Sequence, residues 1–217
     1  WSSDVCSSDL TLSAPRPREL DLLKAVSIDP KFTLGLIGLA VLERDRKNFE
    51  ASRDYAERAI ESNPTSPMGY HEKGRTLRDE GRLDDALSEF KKACAQKIEY
   101  APCFNQIGEI ALMRADRAAN NVEVFRGAYS DFSKAIRIDP GHAWAHSNAA
   151  YAALRVGDLK DAQLLIKRAM ELDPASLAHA IRYAGIAYRL GNRDEALSLI
   201  RDLLPKMPNW EQSPPSG

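Results

Sequence analysis

The stretch that decides the fold is residues 140–174, PGHAWAHSNAAYAALRVGDLKDAQLLIKRAMELDP. It starts and ends on proline, 34 residues apart; the same step leads from Pro174 to Pro208 and joins Pro30 to Pro64. A fixed period of that size is the mark of a helical repeat. On either side of Gly157, which falls about halfway, apolar residues recur three and four apart, so the unit reads as two amphipathic helices with a break between them. Gly81 and Gly191 mark the same break in other units. The units close on Ser-Asn-Pro64, Ile-Asp-Pro140 and Leu-Asp-Pro174, where proline stops a helix it cannot continue.

Small residues recur where two helices must touch. Ala86, Ala128, Ala162 and Ala196 share one position, with Ser52 as its variant; Ala59, Ala93, Ala135 and Ala169 share another, with Leu203 as its variant. Side chains that small let backbones approach closely, while Phe90, Phe132, Ile166 and Ile200 between them fill the adjacent space. The pattern resembles the tetratricopeptide repeat. The resemblance covers residues 33–210 as five repeats, at 33–66, 67–100, 101–142, 143–176 and 177–210. It implies an all-α, right-handed α-solenoid of helix-turn-helix units. Residues 11–32 read as the second helix of a partial preceding repeat, since Leu22, Ala25 and Pro30 fall in phase. The departures are local: the closing proline of the second repeat is Ile98, and the aromatic usual near the start of the first helix is Leu36, Tyr70, Phe104, His146 and Ala180 in turn.

The third repeat, 101–142, is eight residues longer than the others. Divided as four and four, the excess adds about one turn to each helix without rotating the packing faces. The turn then falls near Asn120-Asn121, and the spacing predicts a knuckle roughly 6 Å long with Val122 and Phe125 near its tip. Residues 211–217, Glu-Gln-Ser-Pro-Pro-Ser-Gly, are expected to be a disordered tail, because such residues bury too little surface to offset ordering entropy.

The composition is globular. With 30 Lys+Arg against 31 Asp+Glu, a net charge of −1 and 44% hydrophobic residues, the chain has no broad electrostatic reason to bind nucleic acid or an anionic membrane. Its longest apolar run, Leu34 to Leu42, is about half of the ~18 residues a span requires, so no membrane span is expected. Residues 1–10, WSSDVCSSDL, read as the translation of a sequencing adapter, TGG AGT TCA GAC GTG TGC TCT TCC GAT CT, with CT opening the leucine codon. They are set aside as an artefact. The native N-terminus is then missing, so location is undetermined, with the cytoplasm as default.

No motif points to chemistry. His71-Glu72 opens like a zinc-protease helix, but the residue four after His71 is Arg75, so the second ligand is absent. His142 and His146 have helical spacing without a third ligand nearby. Cys94 ends one helix and Cys103 begins the next, close enough to approach each other; free buried thiols are the expectation. No Gly-rich phosphate loop, nucleophile elbow or triad occurs, so neither enzyme activity, metal nor cofactor is expected.

What remains is surface. The resemblance implies that first helices line a concave face, and the register places Arg44, His71, Arg75, Arg78, Asn105, Trp144, Tyr151, Arg155, Tyr188 and Arg189 outward on it. Arginine with aromatic surface is the composition of binding hot spots and favours an acidic peptide with apolar anchors. The opposing reading is a solvated charged face, since Asp45 and Asp79 adjoin Arg44 and Arg78. The Lys, Asn and Arg clamp of chaperone-binding family members is not matched, because the lysines are absent. The function expected is a protein-interaction scaffold; its competitor is the repeat region of a larger enzyme or transcription regulator whose N-terminal domain precedes residue 11. Leu197, Leu199 and Leu204 on an uncapped last repeat suggest weak self-association.

Overall fold

In the computed structural model, which describes residues 17–96, 99–117 and 122–203, the chain turns back at a left-handed residue in the first, second, fourth and fifth repeats. Gly81, Gly157 and Gly191 have φ of 83°, 98° and 90°. At each, the next N–H reaches five residues back: Arg82 to the Leu77 carbonyl, Asp158 to Ala153 and Asn192 to Ala187, all at 2.9 Å. These bonds satisfy carbonyls that the helix end leaves open. The first repeat makes the same turn without glycine. Lys47 takes φ 63° while Asn48 N–H reaches the Glu43 carbonyl at 2.9 Å, a conformation that costs a side chain about 1 kcal/mol.

The turns divide the chain into α1 (Pro17–Ile28), α2 (Thr33–Asp45), α3 (Phe49–Ser62), α4 (Pro67–Asp79), α5 (Leu83–Cys94), α6 (Ala101–Arg117), α7 (Val122–Ile138), α8 (Ala143–Val156), α9 (Leu159–Leu172), α10 (Leu177–Arg189) and α11 (Arg193–Leu203). The described residues contain no strand, and no helix among them is long and apolar enough to cross a membrane. Helices pair in sequence, α2 with α3 through α10 with α11, and each pair stacks on the next. The result is an α-solenoid. First helices also meet across repeats, α2 on α4, α6 on α8 and α8 on α10, whereas α4 and α6 approach less closely and are joined through the Arg78 side chain.

The core forms where the small residues fall. Ser52, Ala86, Ala128, Ala162 and Ala196 are all at most 1% exposed. Ser52 keeps its hydroxyl satisfied there, donating to the Ala40 carbonyl at 2.8 Å and meeting Thr76 Oγ1 at 2.8 Å. Large residues of the second helices press on the first helices at one shared position, and their sizes are reciprocal. A Cβ added to Gly74 would lie 2.7 Å from the Phe90 ring, and one on Gly108 would lie 2.6 Å from the Phe132 ring. Where the second helix carries Ile166 instead, the facing position holds Ala150, and both are fully buried. Ile200, on α11, which no described helix follows, is 44% exposed.

Both helices of the third repeat are long. Helices α6 and α7 each have 17 residues, against 12 to 14 in α4, α5, α8 and α9. Their turn, with Asn120 and Asn121, lies outside the described residues. Phe125 is not at an exposed tip. It is 1% exposed and packs in the cluster of Leu112, Phe132 and Ala149, because the added turn of α7 continues to face α6 and α8. Residues 1–16, Ile98, Leu204 and the tail 211–217 also lie outside the described residues.

The cysteines depart from the expectation of free thiols. Cys94 and Cys103 form a disulfide with their Cα atoms 5.6 Å apart. The last residue of α5 is thereby tied to the first turn of α6, across the joint where Ile98 replaces the closing proline. Closing a loop of this length stabilises a fold by about 2.5 kcal/mol in the chain-entropy account. Cys94→Ser/Cys103→Ser is therefore expected to lower the urea midpoint by that equivalent, and added dithiothreitol should lower the midpoint of the parent chain to the same level. A parent midpoint indifferent to the reductant would remove the bridge from the account.

Candidate functional site

The outward face of the first helices carries a ladder of polar groups from successive repeats. Arg44 on α2 is only 8% exposed. Its Nε donates to Glu72 on α4 at 2.7 Å and its NH1 to Asp79 at 3.1 Å. Burial works against the charge, but Glu72 and Asp79 more than offset it and push the guanidinium pKa up. Arg78 continues the ladder, reaching Asp79 at 3.0 Å and, on α6, Gln106 and Glu109, the latter at 3.1 Å. The other Glu109 oxygen accepts from Asn105 at 2.9 Å and from Asn148 on α8 at 3.0 Å. Asn148 accepts in turn from Arg182 on α10 at 3.0 Å, and Ser147 accepts from the same guanidinium at 2.8 Å.

Between α4 and α6 the face opens into a cavity of about 430 Å³. His71, Arg75, Arg78, Asn105 and Trp144 line it, so five of the ten residues named from sequence are brought together. His71 is buried under Phe90 and Tyr100, its ring 5.7 Å from the first and 5.3 Å from the second. Tyr100 Oη lies 3.5 Å from His71 Nδ1. Burial, helped by Arg75, Arg78 and Arg44, pushes the His71 pKa down to about 3, so the imidazole is neutral near pH 7. Trp144 stands at the rim, 45% exposed, with its indole edge-on to His179 at 4.7 Å.

The other five lie elsewhere. Arg44 sits behind the cavity, linked to its lining residues through Glu72 and Asp79, and serves to hold α2 on α4. Tyr151 and Arg155 form a cluster with Phe125: Arg155 donates to the Tyr151 hydroxyl at 2.7 Å and lies 4.2 Å from the centre of the Phe125 ring. Tyr188, 54% exposed, and Arg189 lie at the end of α10, where the Arg193 guanidinium stands 5.7 Å from the Tyr188 ring. Sequence reasoning missed Glu72, which fixes Arg44. The available signal was spacing, since the partners across repeats stand 28 to 35 residues apart, about one repeat. Among the described residues, no three His, Cys, Asp or Glu side chains gather where they could hold a metal ion.

Known proteins show the same architecture. The chain is 21% identical to the BBSome complex member BBS4 of Bos taurus across 85% of its own length, and spans 40% of the length of that relative. TTC0263, a thermophilic TPR protein of Thermus thermophilus, superposes with a TM-score of 0.67 at 21% identity, covering 83% of this chain and 94% of that one. PilW, described as a widely conserved type IV pilus biogenesis factor, gives a TM-score of 0.69 at 18% identity, covering 89% and 87%. YrrB, a TPR protein with an unusual peptide-binding site, gives 0.58 at 17% identity, covering 88% and 94%. Tetratricopeptide repeat models match residues 55–88, 125–180 and 153–213, together more than half of the 217 residues. With the turns, the small-residue crossings and the solenoid in agreement, the chain belongs to the tetratricopeptide repeat family.

Proposed function

We propose that this chain is a scaffold that holds an extended acidic segment of a partner protein, with apolar anchors, along its concave face, and that it performs no chemistry itself. Tetratricopeptide repeats are generally protein-interaction scaffolds. The observation that carries the finer reading is the exposed apolar surface on the first-helix side: Trp144 and Ile181 are each 45% exposed and Tyr188 is 54% exposed, beside the exposed Arg189. Large apolar side chains next to arginine are what binding hot spots are made of. Selection from a library of synthetic dodecapeptides against the whole chain tests it. Trp144→Ala and Tyr188→Ala are each expected to weaken the selected peptides about thirty-fold, the equivalent of ~2 kcal/mol, with helical circular dichroism unchanged. Full binding by both variants would move the partner off this face. Weak self-association belongs to the same reading, through α11, where Leu197 is 56% exposed.

A further inference from the structure

A second cavity, of about 380 Å³, lies where the second repeat meets the third. Its lining includes Cys94 at the end of α5, Glu99 and Tyr100 in the link to α6, Phe104 in the first turn of α6, and Arg137 and Ile138 at the end of α7. The size falls within the ~300–1,000 Å³ range of small-molecule pockets. The two halves of the disulfide differ here. Cys94 lines the cavity and is partly exposed, whereas Cys103 is fully buried. Thiol–disulfide exchange depends on which sulfur an incoming thiolate can reach, so approach is confined to the Cys94 end.

The cavity supplies charges of both signs. The Arg137 and Glu99 side chains are exposed, and among the described residues neither has a hydrogen bond or an ion pair. Arg137 offers a counter-charge to a carboxylate and Glu99 offers one to an ammonium group, while Tyr100, Phe104 and Ile138 add apolar wall. The buried end of the bridge is provided for as well. Sγ of Cys103 lies 2.9 Å from the Tyr100 carbonyl oxygen, an acceptor in place for a thiol S–H at that position. A reduced Cys103 is therefore satisfied without moving into water.

We infer that this cavity is a thiol-exchange site for a small zwitterionic thiol, one that carries both a carboxylate and an ammonium group, and that Cys94 is the sulfur it modifies. The thiolate attacks Sγ of Cys94 and forms a new S–S bond there while the bond from Cys94 to Cys103 breaks. The electron pair of that bond leaves on Cys103, which takes up the proton the incoming thiol gave up. The incoming sulfur is oxidised and Cys103 is reduced, so no further oxidant is needed. The product is a mixed disulfide on Cys94 and a buried Cys103 thiol beside the Tyr100 carbonyl. The tie between α5 and α6 is then open, and attack by Cys103 on the mixed disulfide expels the thiol and restores it. The site is independent of the groove reading.

The test incubates the whole oxidised chain with reduced glutathione, which carries both charges, or with 2-mercaptoethanol, which carries neither. Acid quenching, alkylation with N-ethylmaleimide and peptide mass spectrometry then locate the products. Glutathione is expected on Cys94 and the maleimide on Cys103. Dividing each rate by the rate on the urea-unfolded chain removes the intrinsic reactivity of the thiol. Glutathione should then exceed 2-mercaptoethanol at least three-fold, an advantage that Arg137→Gln removes with helicity intact. If reclosure keeps the adduct below detection, Cys103→Ala treated with glutathione disulfide or hydroxyethyl disulfide makes the same comparison at Cys94. Glutathione found on Cys103, equal normalised rates for the two reagents, or a preference that survives Arg137→Gln overturns the site. So does a rate that rises with urea in step with unfolding, because exchange would then take place in the unfolded chain.

Discussion

Phe132→Ala is expected to destabilise the chain by about 4 kcal/mol, the upper range for emptying a buried phenylalanine site. The ring is fully buried and lies against Gly108 and the cluster of Leu112, Phe125 and Ala149. Removing it leaves a void on a helix whose backbone is already as close as glycine allows, so little collapse can follow. Gly108→Ala alone should cost about 2 kcal/mol by overpacking, since its Cβ would sit 2.6 Å from the ring. The double change Gly108→Ala/Phe132→Ile recreates the pairing of Ala150 with Ile166 found in the next repeat, and is expected within about 1.5 kcal/mol of the parent. Urea denaturation followed at the helical circular dichroism band measures all three. Single losses that simply add in the double variant would show that the two positions do not share one space.

Glu72→Leu should cost about 3 kcal/mol, because it strips the nearest counter-charge from a guanidinium that is only 8% exposed. Asp79 at 3.1 Å and the exposed Asp45 at 3.3 Å remain near Arg44 and keep the loss at the lower end of that range. Replacing both partners, as Arg44→Met/Glu72→Leu, is expected to return the stability to near the parent value, since the cost lies in an unpaired buried charge rather than in the absent pair. The same urea midpoints report it. A double variant as unstable as the single one would mean that Arg44 contributes chiefly by packing its stem between α2 and α4.

The fold was legible in the sequence because its signals are local. A 34-residue proline step, a glycine at three of the left-handed turns and alanine at four of the five crossings are all read along the chain. Lys47 escaped because nothing in its side chain announces a left-handed backbone; only the register, one period before Gly81, points to it. The reciprocal sizes of Gly74 with Phe90, Gly108 with Phe132 and Ala150 with Ile166 were present in the letters, but they become meaningful only when the two helices are placed face to face. Half of the site was legible for the same reason. Register alone puts His71, Arg75, Arg78, Asn105 and Trp144 on first helices, yet whether an arginine is free or already neutralised depends on the offset between neighbouring helices, which the sequence does not display. Arg44 and Arg75 look equivalent as letters, and their partners at 2.7 Å and 3.5 Å separate them.

The bridge between Cys94 and Cys103 also bears on how the array answers force. A solenoid stretches by parting its neighbouring repeats, each contributing its own compliance, so a pull on the two ends acts as on springs in series. Here the joint whose first helices approach each other least, and which lacks a closing proline, is the one that carries a covalent tie. What would otherwise be the softest link becomes the one that cannot open. Extension is then borne by the arms on either side, α2 to α5 and α6 to α11, and the cavity at the riveted joint keeps its shape while the rest of the array flexes.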